Sequence, residues 1–200
     1  MTDEFNISIV GVGGQGVILM SELLGNAAIR DGLNVRGSEI LGMAVRGGSV
    51  SSMIRIGKDV FGPLIPTGKC DVLVGMEPAE ALRNISYLSS TGMVILNTES
   101  MVPFTVSLGT SQYPSLEKMM EKLNQQVSRV ITLNASQIAR EASNQQAANI
   151  VMLGALFGTG KVPITENTIK KEIETRMPGK LVQVNLKAFE LGKEAIQSNS

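Results

Sequence analysis

A glycine-rich turn near the start of the chain limits most strongly what this sequence can fold into. Gly11, Gly13 and Gly16 occur in the segment IVGVGGQGVILMSELL, after an apolar run and before a stretch with helical periodicity. Between a strand and a helix, G-x-G-x-x-G spacing is typical of a turn whose backbone approaches a phosphate-bearing ligand. The surrounding pattern predicts a βαβ unit, with a strand, an amphipathic helix and a second strand at residues 5–10, 17–30 and 33–36.

The rest of the chain also alternates between strand and helix patterns. Further strands are predicted at residues 72–74, 93–96 and 129–133. Helices are predicted from Glu77-Pro78 and at residues 115–124, 137–143, 147–157, 165–176 and 181–197. Residues 37–52 predict a loop that leads into a strand at 50–56, and residues 60–65 then return as the second strand of a hairpin. We therefore expect a single α/β domain over residues 1–200, with helices 165–197 included: three layers, with a largely parallel sheet flanked by helices and an inserted β-hairpin.

Ligands of open parallel sheets bind at the carboxyl ends of the strands. In this chain that edge is expected to carry 11–16, 75–77 and 97–98. A nicotinamide dinucleotide site also needs an acid near the end of the second strand, but Asp31 lies in the helix-ending turn and Glu39 comes late. The turn also suits close helix–sheet packing with no ligand, so its spacing leaves both interpretations open.

Composition excludes several classes of function. Lys+Arg and Asp+Glu are both 18 and no basic cluster occurs, which argues against nucleic acid and an anionic membrane surface as partners. Histidine is absent, so histidine bases, Ser-His-Asp triads and histidine-bound metals are excluded. The single Cys70 cannot form a disulfide within the chain or supply a four-thiolate iron–sulfur site. A cytoplasmic protein is expected, and zero net charge favours a complex or a homodimer of the isolated chain.

Three side chains are candidates for chemistry, each with a structural alternative. Arg46, before Gly47 and Gly48 in VRGGS, suits an anion site, but it equally suits an arginine that closes a loop against a carbonyl or carboxylate. Glu77 is interpreted as a helix N-terminal acid rather than a catalytic one. Cys70 has only Lys69 as a basic neighbour and is interpreted as a buried structural thiol rather than a nucleophile.

Four segments carry a family resemblance. GVGGQGVILMSELLGNAA, RGGSVSSMIRIG, CDVLVGMEPAEALR and NIVMLGAL occur in this order. Together they resemble the gamma-type subunit of the 2-oxoacid:ferredoxin oxidoreductases, and in particular the small (beta) subunit of the indolepyruvate type. The resemblance runs from Ile7 to about Gly160 and is more specific than the glycine turn alone.

The resemblance implies a division of labour. Such enzymes oxidatively decarboxylate a 2-oxoacid, here an aryl pyruvate such as indolepyruvate, to an acyl-CoA and pass electrons to ferredoxin. Thiamine diphosphate and [4Fe-4S] clusters are then expected on a larger partner subunit, with CoA as co-substrate and no cofactor, metal or catalytic residue on this chain, which would be inactive alone. The expected binding residues are a turn near CoA or the subunit seam and a neighbouring loop: Gly11, Gly13, Gly14, Gln15 and Gly16, then Arg46, Gly47 and Gly48.

Two positions depart from the family pattern. Related small subunits often read His-Gly-Met where this chain has Leu41-Gly42-Met43, and a Gln often stands at the position of Val45. If that loop touches substrate, another aryl or a branched 2-oxoacid becomes the expected substrate. Two other classes of function remain open from the sequence: a free-standing oxidoreductase that binds NAD or a flavin, and a binding-only module.

Overall fold

The computed structural model describes residues 4–42, 47–103, 106 and 108–197. The strands among them form one six-stranded sheet. Its strands are β1 Phe5–Val12, β2 Val35–Leu41, β3 Ser49–Ile56, β4 Cys70–Gly75, β5 Leu88–Asn97 and β6 Val130–Leu133. They lie in the order β2-β3-β1-β4-β5-β6. Only β3 runs antiparallel to its neighbours β1 and β2, while the pairs from β1 through β4 and β5 to β6 are parallel.

Helices cover both faces of the sheet, which confirms the predicted three-layer α/β class. Their bounds are α1 Val17–Arg30, α2 Pro78–Arg83, α3 Leu116–Gln126, α4 Ala135–Glu141, α5 Ala148–Gly158, α6 Glu166–Arg176 and α7 Gly179–Gln197. Because successive strand residues face opposite sides, Ile7 and Ile9 enter the main core with α1 and α4 to α7, whereas Val10 enters a smaller core with α2 and α3. None of the described helices is both long and apolar enough to cross a bilayer.

The antiparallel hairpin is present, but one strand earlier than predicted. Strand β2 does not end at residue 36; it continues to Leu41 and pairs with β3 from Val35↔Ile56 to Leu41↔Val50. In the predicted loop over residues 37–52, residues 37–41 and 49–52 are therefore strand. Strand β2 is an edge strand with little burial, so it lacks the apolar alternation from which a strand is recognised.

The predicted strand at residues 60–65 is wrong. This segment has no ladder partner in the described chain and instead contacts the side chain of Arg55, near the end of β3. The guanidinium of Arg55 donates through Nη1 to the carbonyl oxygens of Gly62 and Leu64, at 2.9 and 3.0 Å. Because Pro63 has no backbone N–H, a regular ladder would lose a donor at the centre of this segment.

The thiol of Cys70 is expected to be unreactive in the folded chain. Its side chain is fully buried at the start of β4, where Sγ donates to the carbonyl oxygen of Val72 at 3.2 Å. Burial raises the pKa of the Cys70 thiol to about 12, so at pH 8 about one molecule in 10⁴ carries the thiolate that reacts. In a titration with an aromatic disulfide reagent, we expect one thiol to appear only after denaturant is added. Rapid reaction of the native chain would contradict the structural role.

Candidate functional site

The glycine turn lies between β1 and α1, at the carboxyl edge of the sheet as predicted. Gly14 and Gly16 have φ values of +101° and +78°, a region that side chains with a Cβ rarely adopt. At Gly11 the constraint is space, because an added Cβ would lie 2.6 Å from Gln15 Oε1 and 2.8 Å from Met76 Cβ. A Cβ at Gly16 would lie 2.4 Å from Asn149 Nδ2, so this glycine allows α5, rather than the sheet, to approach the turn.

Gln15 holds the turn in place through its side-chain amide. Oε1 accepts a hydrogen bond from the backbone N–H of Val12 at 2.9 Å, and Nε2 donates to the carbonyl oxygen of Met76 at 3.1 Å. These two bonds join the carboxyl ends of the neighbouring strands β1 and β4. The Gln15 amide therefore shapes the site instead of offering both of its polar atoms to a ligand.

The structure brings the two predicted loops together. The backbone N–H of Gly13 donates to the carbonyl oxygen of Gly48 at 2.8 Å, and the N–H of Gly47 donates to the carbonyl oxygen of Gly13 at 3.3 Å. Gly47 has a φ of +71°, which allows this crossing. Arg46, the charged residue of the predicted loop, lies outside the described residues.

A polar cavity of about 420 Å³ opens beside the turn, at the ends of β4 and β5 and the beginnings of α1, α4 and α5. Helix α1 has no side-chain hydrogen bond at its N-cap, and the backbone N–H groups of Gly14 and Gly16 have no partner among the described residues. In the first turn of α5, Asn149 Oδ1 accepts from the N–H of Ile150 at 3.0 Å. Helix N-termini and free N–H groups favour an anionic group. The lining of this polar cavity includes five amide side chains: Gln15, Asn97, Gln145, Gln146 and Asn149.

Glu99 is the one acidic side chain in the described lining of this polar cavity. Its carboxylate accepts a hydrogen bond from Ser136 Oγ at the beginning of α4. Ser136 therefore engages one of the two oxygens of this carboxylate, and the exposed Glu99 remains part of the cavity wall. The sequence interpretation had placed none of Glu99, Ser136 and Asn149 in the site, because no local pattern relates the three segments to the turn.

A second cavity of about 500 Å³ lies on the other side of the glycine turn, toward the β2–β3 hairpin. Its walls are mainly apolar and include Val12, Val17, Ile18, Leu41 and Val50. Gly14 and Gly16 line both cavities. The turn is therefore bordered by a polar space on one side and an apolar space on the other, with Leu41 in the apolar wall.

The predicted role of Glu77 as a helix N-terminal acid is confirmed. Its buried carboxylate caps α2 by accepting from the backbone N–H of Glu80 at 3.0 Å and also accepts a hydrogen bond from the Tyr113 hydroxyl. Burial and the Glu77 carboxylate raise the pKa of Tyr113 to about 12. In the described chain, no group of three or more cysteine, aspartate or glutamate side chains is arranged to hold a metal ion.

The chain belongs to the pyruvate ferredoxin/flavodoxin oxidoreductase family, whose model matches residues 6–195. The glycine turn and the two joined loops lie within this matched region. The chain is 46% identical over 189 residues to indolepyruvate oxidoreductase subunit IorB of Archaeoglobus fulgidus, covering 94% of each chain. It is 42% identical over 193 residues to the same subunit of Thermococcus kodakarensis, covering 96% of each. The gamma subunit of a keto/oxoacid ferredoxin oxidoreductase from Geobacter sulfurreducens superimposes with a TM-score of 0.69 at 27% identity, over 97% of this chain and 99% of that one. These similarities confirm the resemblance identified from the four sequence segments.

Proposed function

We propose that this chain is the accessory small subunit of a cytoplasmic 2-oxoacid:ferredoxin oxidoreductase that acts on an aryl pyruvate such as indolepyruvate. Similarity to indolepyruvate oxidoreductase subunits over nearly their whole length supports this assignment. The enzyme would convert a 2-oxoacid and CoA to an acyl-CoA and carbon dioxide, while two electrons pass to ferredoxin. Residues 1–200 would act as one gamma-type domain within that complex.

The redox and decarboxylation chemistry would belong to a larger partner subunit that carries thiamine diphosphate and [4Fe-4S] clusters. Residues of this chain do not fit such a cluster, because one buried cysteine cannot supply four thiolate ligands. The contribution of the chain would instead be binding and orientation, which proteins commonly provide around cofactor chemistry.

The observation that carries the binding role is the polar cavity beside the glycine turn. In the described part of the chain, the N–H groups of Gly14 and Gly16 without a partner and the uncapped N-terminus of α1 suit a phosphate group, and CoA supplies phosphates in this reaction. We assign Gly11, Gly13 and Gln15 to the shape of the turn, and Gly47 and Gly48 to the loop that crosses it. Arg46, next in sequence to Gly47, is proposed as a positive charge for the same anion.

The two acids considered for a nicotinamide dinucleotide site, Asp31 and Glu39, are both engaged elsewhere in the described chain. The carboxylate of Asp31 accepts hydrogen bonds from the N–H of Thr165 at 2.6 Å and from Thr168 Oγ at 2.5 Å, at the beginning of α6. Glu39 accepts from Ser21 Oγ at 3.2 Å. Neither acid lines the cavities beside the turn, where a ribose hydroxyl would need a carboxylate.

Reconstitution tests the proposed function. The purified chain alone should not reduce an electron acceptor. When it is mixed with the large subunit, the acceptor should be reduced in a reaction that requires both the 2-oxoacid and CoA. The large subunit alone is the control, and a comparison of aryl with branched 2-oxoacids identifies the preferred side chain. Turnover by this chain alone, or a bound flavin in its absorption spectrum, would favour the free-standing oxidoreductase instead.

A further inference from the structure

Helix α2 carries a second buried carboxylate, which has no place in the proposed anion site. Glu80 is 3% exposed and follows the N-cap residue Glu77 by one helical turn. A glutamate at this position often returns a hydrogen bond to the backbone N–H of the N-cap residue. In the described chain Glu80 instead pairs with Arg83 through Oε1, while Oε2 accepts a hydrogen bond from Ser49 Oγ at 2.7 Å. The side chain therefore links α2 to the first residue of β3.

Ser49 directly follows the loop that crosses the glycine turn. Its backbone carbonyl oxygen accepts from the N–H of Gly42 at 2.8 Å, which closes the end of the hairpin. The preceding residues, Gly47 and Gly48, exchange the two backbone hydrogen bonds with Gly13 that define the crossing. A restraint on Ser49 is thus a restraint on the point where the loop leaves the glycine turn.

Two consecutive glycines give this crossing little stiffness of its own. Ser49 is paired with Val12 in the ladder between β1 and β3, and its hydroxyl adds a restraint from α2. Glycine populates many backbone conformations, and the hydrogen bond from Gly47 to Gly13 is long at 3.3 Å. Ser49 directly follows these glycines, and its hydroxyl donates a hydrogen bond to Glu80 on helix α2. Without that bond, the Gly47–Gly48 backbone would keep its two contacts with the turn but lose its link to α2.

The partner of Ser49 is suited to hold a fixed position. Glu80 lies on a helix that begins at the carboxyl end of β4, and its charge is balanced by Arg83. Hydrogen bonds to an ionised carboxylate are shorter and stronger than those between neutral groups. A buried carboxylate also needs its hydrogen-bond partners, since an unpaired one is costly. The Ser49 hydroxyl and the Glu80 carboxylate therefore both gain from the observed hydrogen bond.

We propose that Glu80 is a positioning residue that, by holding Ser49, sets the position of the Gly47–Gly48 loop against Gly13. Through Gly13 it sets the position of the adjacent Gly14, which lines the proposed CoA-phosphate site. The expected effect of Glu80 on turnover rests on the proposed function. The positioning of the Gly47–Gly48 loop by Glu80 is a property of this chain alone. Glu80 makes no contact with the ligand in this proposal; it acts through Ser49 and the loop.

Hydrogen exchange in the full chain tests the positioning without any ligand. Ser49→Ala should speed exchange of the Gly13 N–H, which is bonded to Gly48, by about tenfold, and Ser49→Thr should restore the slow rate because it keeps the hydroxyl. Ser21→Ala is the matched control, since it removes a serine–glutamate hydrogen bond, to Glu39, elsewhere on the hairpin. An unchanged Gly13 rate in Ser49→Ala, or an equal rise in the control, overturns the proposal.

Kinetics of the assembled complex test the consequence. Ser49→Ala should raise the KM for CoA by about tenfold, with kcat within twofold and the KM for the 2-oxoacid unchanged. Glu80→Gln, which keeps an acceptor oxygen and loses the charge, should give a smaller rise in the same KM. A merely structural contact would lower the melting temperature and leave the KM for CoA unchanged, and that pattern overturns the positioning role.

A variant of the turn itself separates failure of this inference from failure of the proposed function. Gly14→Val places a side chain over the turn where nothing lies within 4 Å, and its φ of +101° also strains the turn. If CoA binds there, the variant should raise the KM for CoA and leave the KM for the 2-oxoacid unchanged. If Gly14→Val raises that KM and Ser49→Ala does not, the positioning role of Glu80 is wrong and the CoA site stands. If neither variant changes it, both the CoA site and the role of Glu80 in it are wrong.

Discussion

Replacing Gly192 with alanine should lower the free energy of unfolding by about 3 kcal/mol, because helices α5 and α7 pack backbone against backbone at this point. An added Cβ at Gly192 would lie 2.0 Å from the carbonyl oxygen of Val151. The contact is reciprocal, since a Cβ at Gly154 would lie 1.9 Å from the carbonyl oxygen of Phe189. A carbonyl within a helix cannot rotate away from such a contact, so the two helices would have to separate and expose part of the main core.

Gly25→Ala is the matched control for this substitution. Gly25 lies inside α1, and nothing lies within 4 Å of an added Cβ. Alanine there should raise the free energy of unfolding by about 0.5–1 kcal/mol, because it reduces the backbone entropy lost on folding. Urea unfolding of both variants measures the difference in sign. In thermal unfolding, Gly192→Ala should lower the Tm by about 6–12 °C. Equal stability of the two variants would contradict the close packing of α5 on α7.

Gly16→Ala should lower the free energy of unfolding by about as much as Gly192→Ala, for two separable reasons. Its φ of +78° strains any side chain that carries a Cβ, which costs about 1–2 kcal/mol. Its Cβ would also meet the buried Asn149, at 2.4 Å from Nδ2 and 2.8 Å from Cγ. We therefore expect a total loss of about 3 kcal/mol in the free energy of unfolding, with the larger part from the contact.

Two further variants separate the strain from the contact. Gly14 has a φ of +101° and open space around it, so Gly14→Ala should show the strain alone. In the Asn149→Ala background, Gly16→Ala should cost little more than Gly14→Ala, because the amide that blocks the Cβ is gone. A double-mutant cycle from urea unfolding measures this coupling, which should be about 1–2 kcal/mol. Additive effects of Gly16→Ala and Asn149→Ala would mean that the turn and α5 do not press on each other.

Local patterns were sufficient where an element is formed by its own residues and buried on a regular face. The α/β class, the glycine turn after β1, the cap of α2 at Glu77 and the helix at Ala148–Gly158 followed from apolar periodicity, glycine spacing and the position of Pro78. The same information failed for β2, an edge strand with few buried residues, and for the segment around Pro63. Edge strands are defined by the strand that they pair with, and that partner is chosen by the tertiary fold.

The candidate site divides along the same line. The sequence by itself determined that a turn with Gly13 and Gly16 follows the first strand at the carboxyl edge of a parallel sheet, since strand, turn and helix are continuous in the chain. Gly11 proves to lie inside β1. Only the tertiary structure decided what surrounds that turn: Asn149 beside Gly16, Gly48 bonded to Gly13, and Glu80 holding Ser49. These partners lie far apart in sequence. No local propensity encodes such contacts, because they arise when separate segments pack to bury the core and satisfy their polar groups.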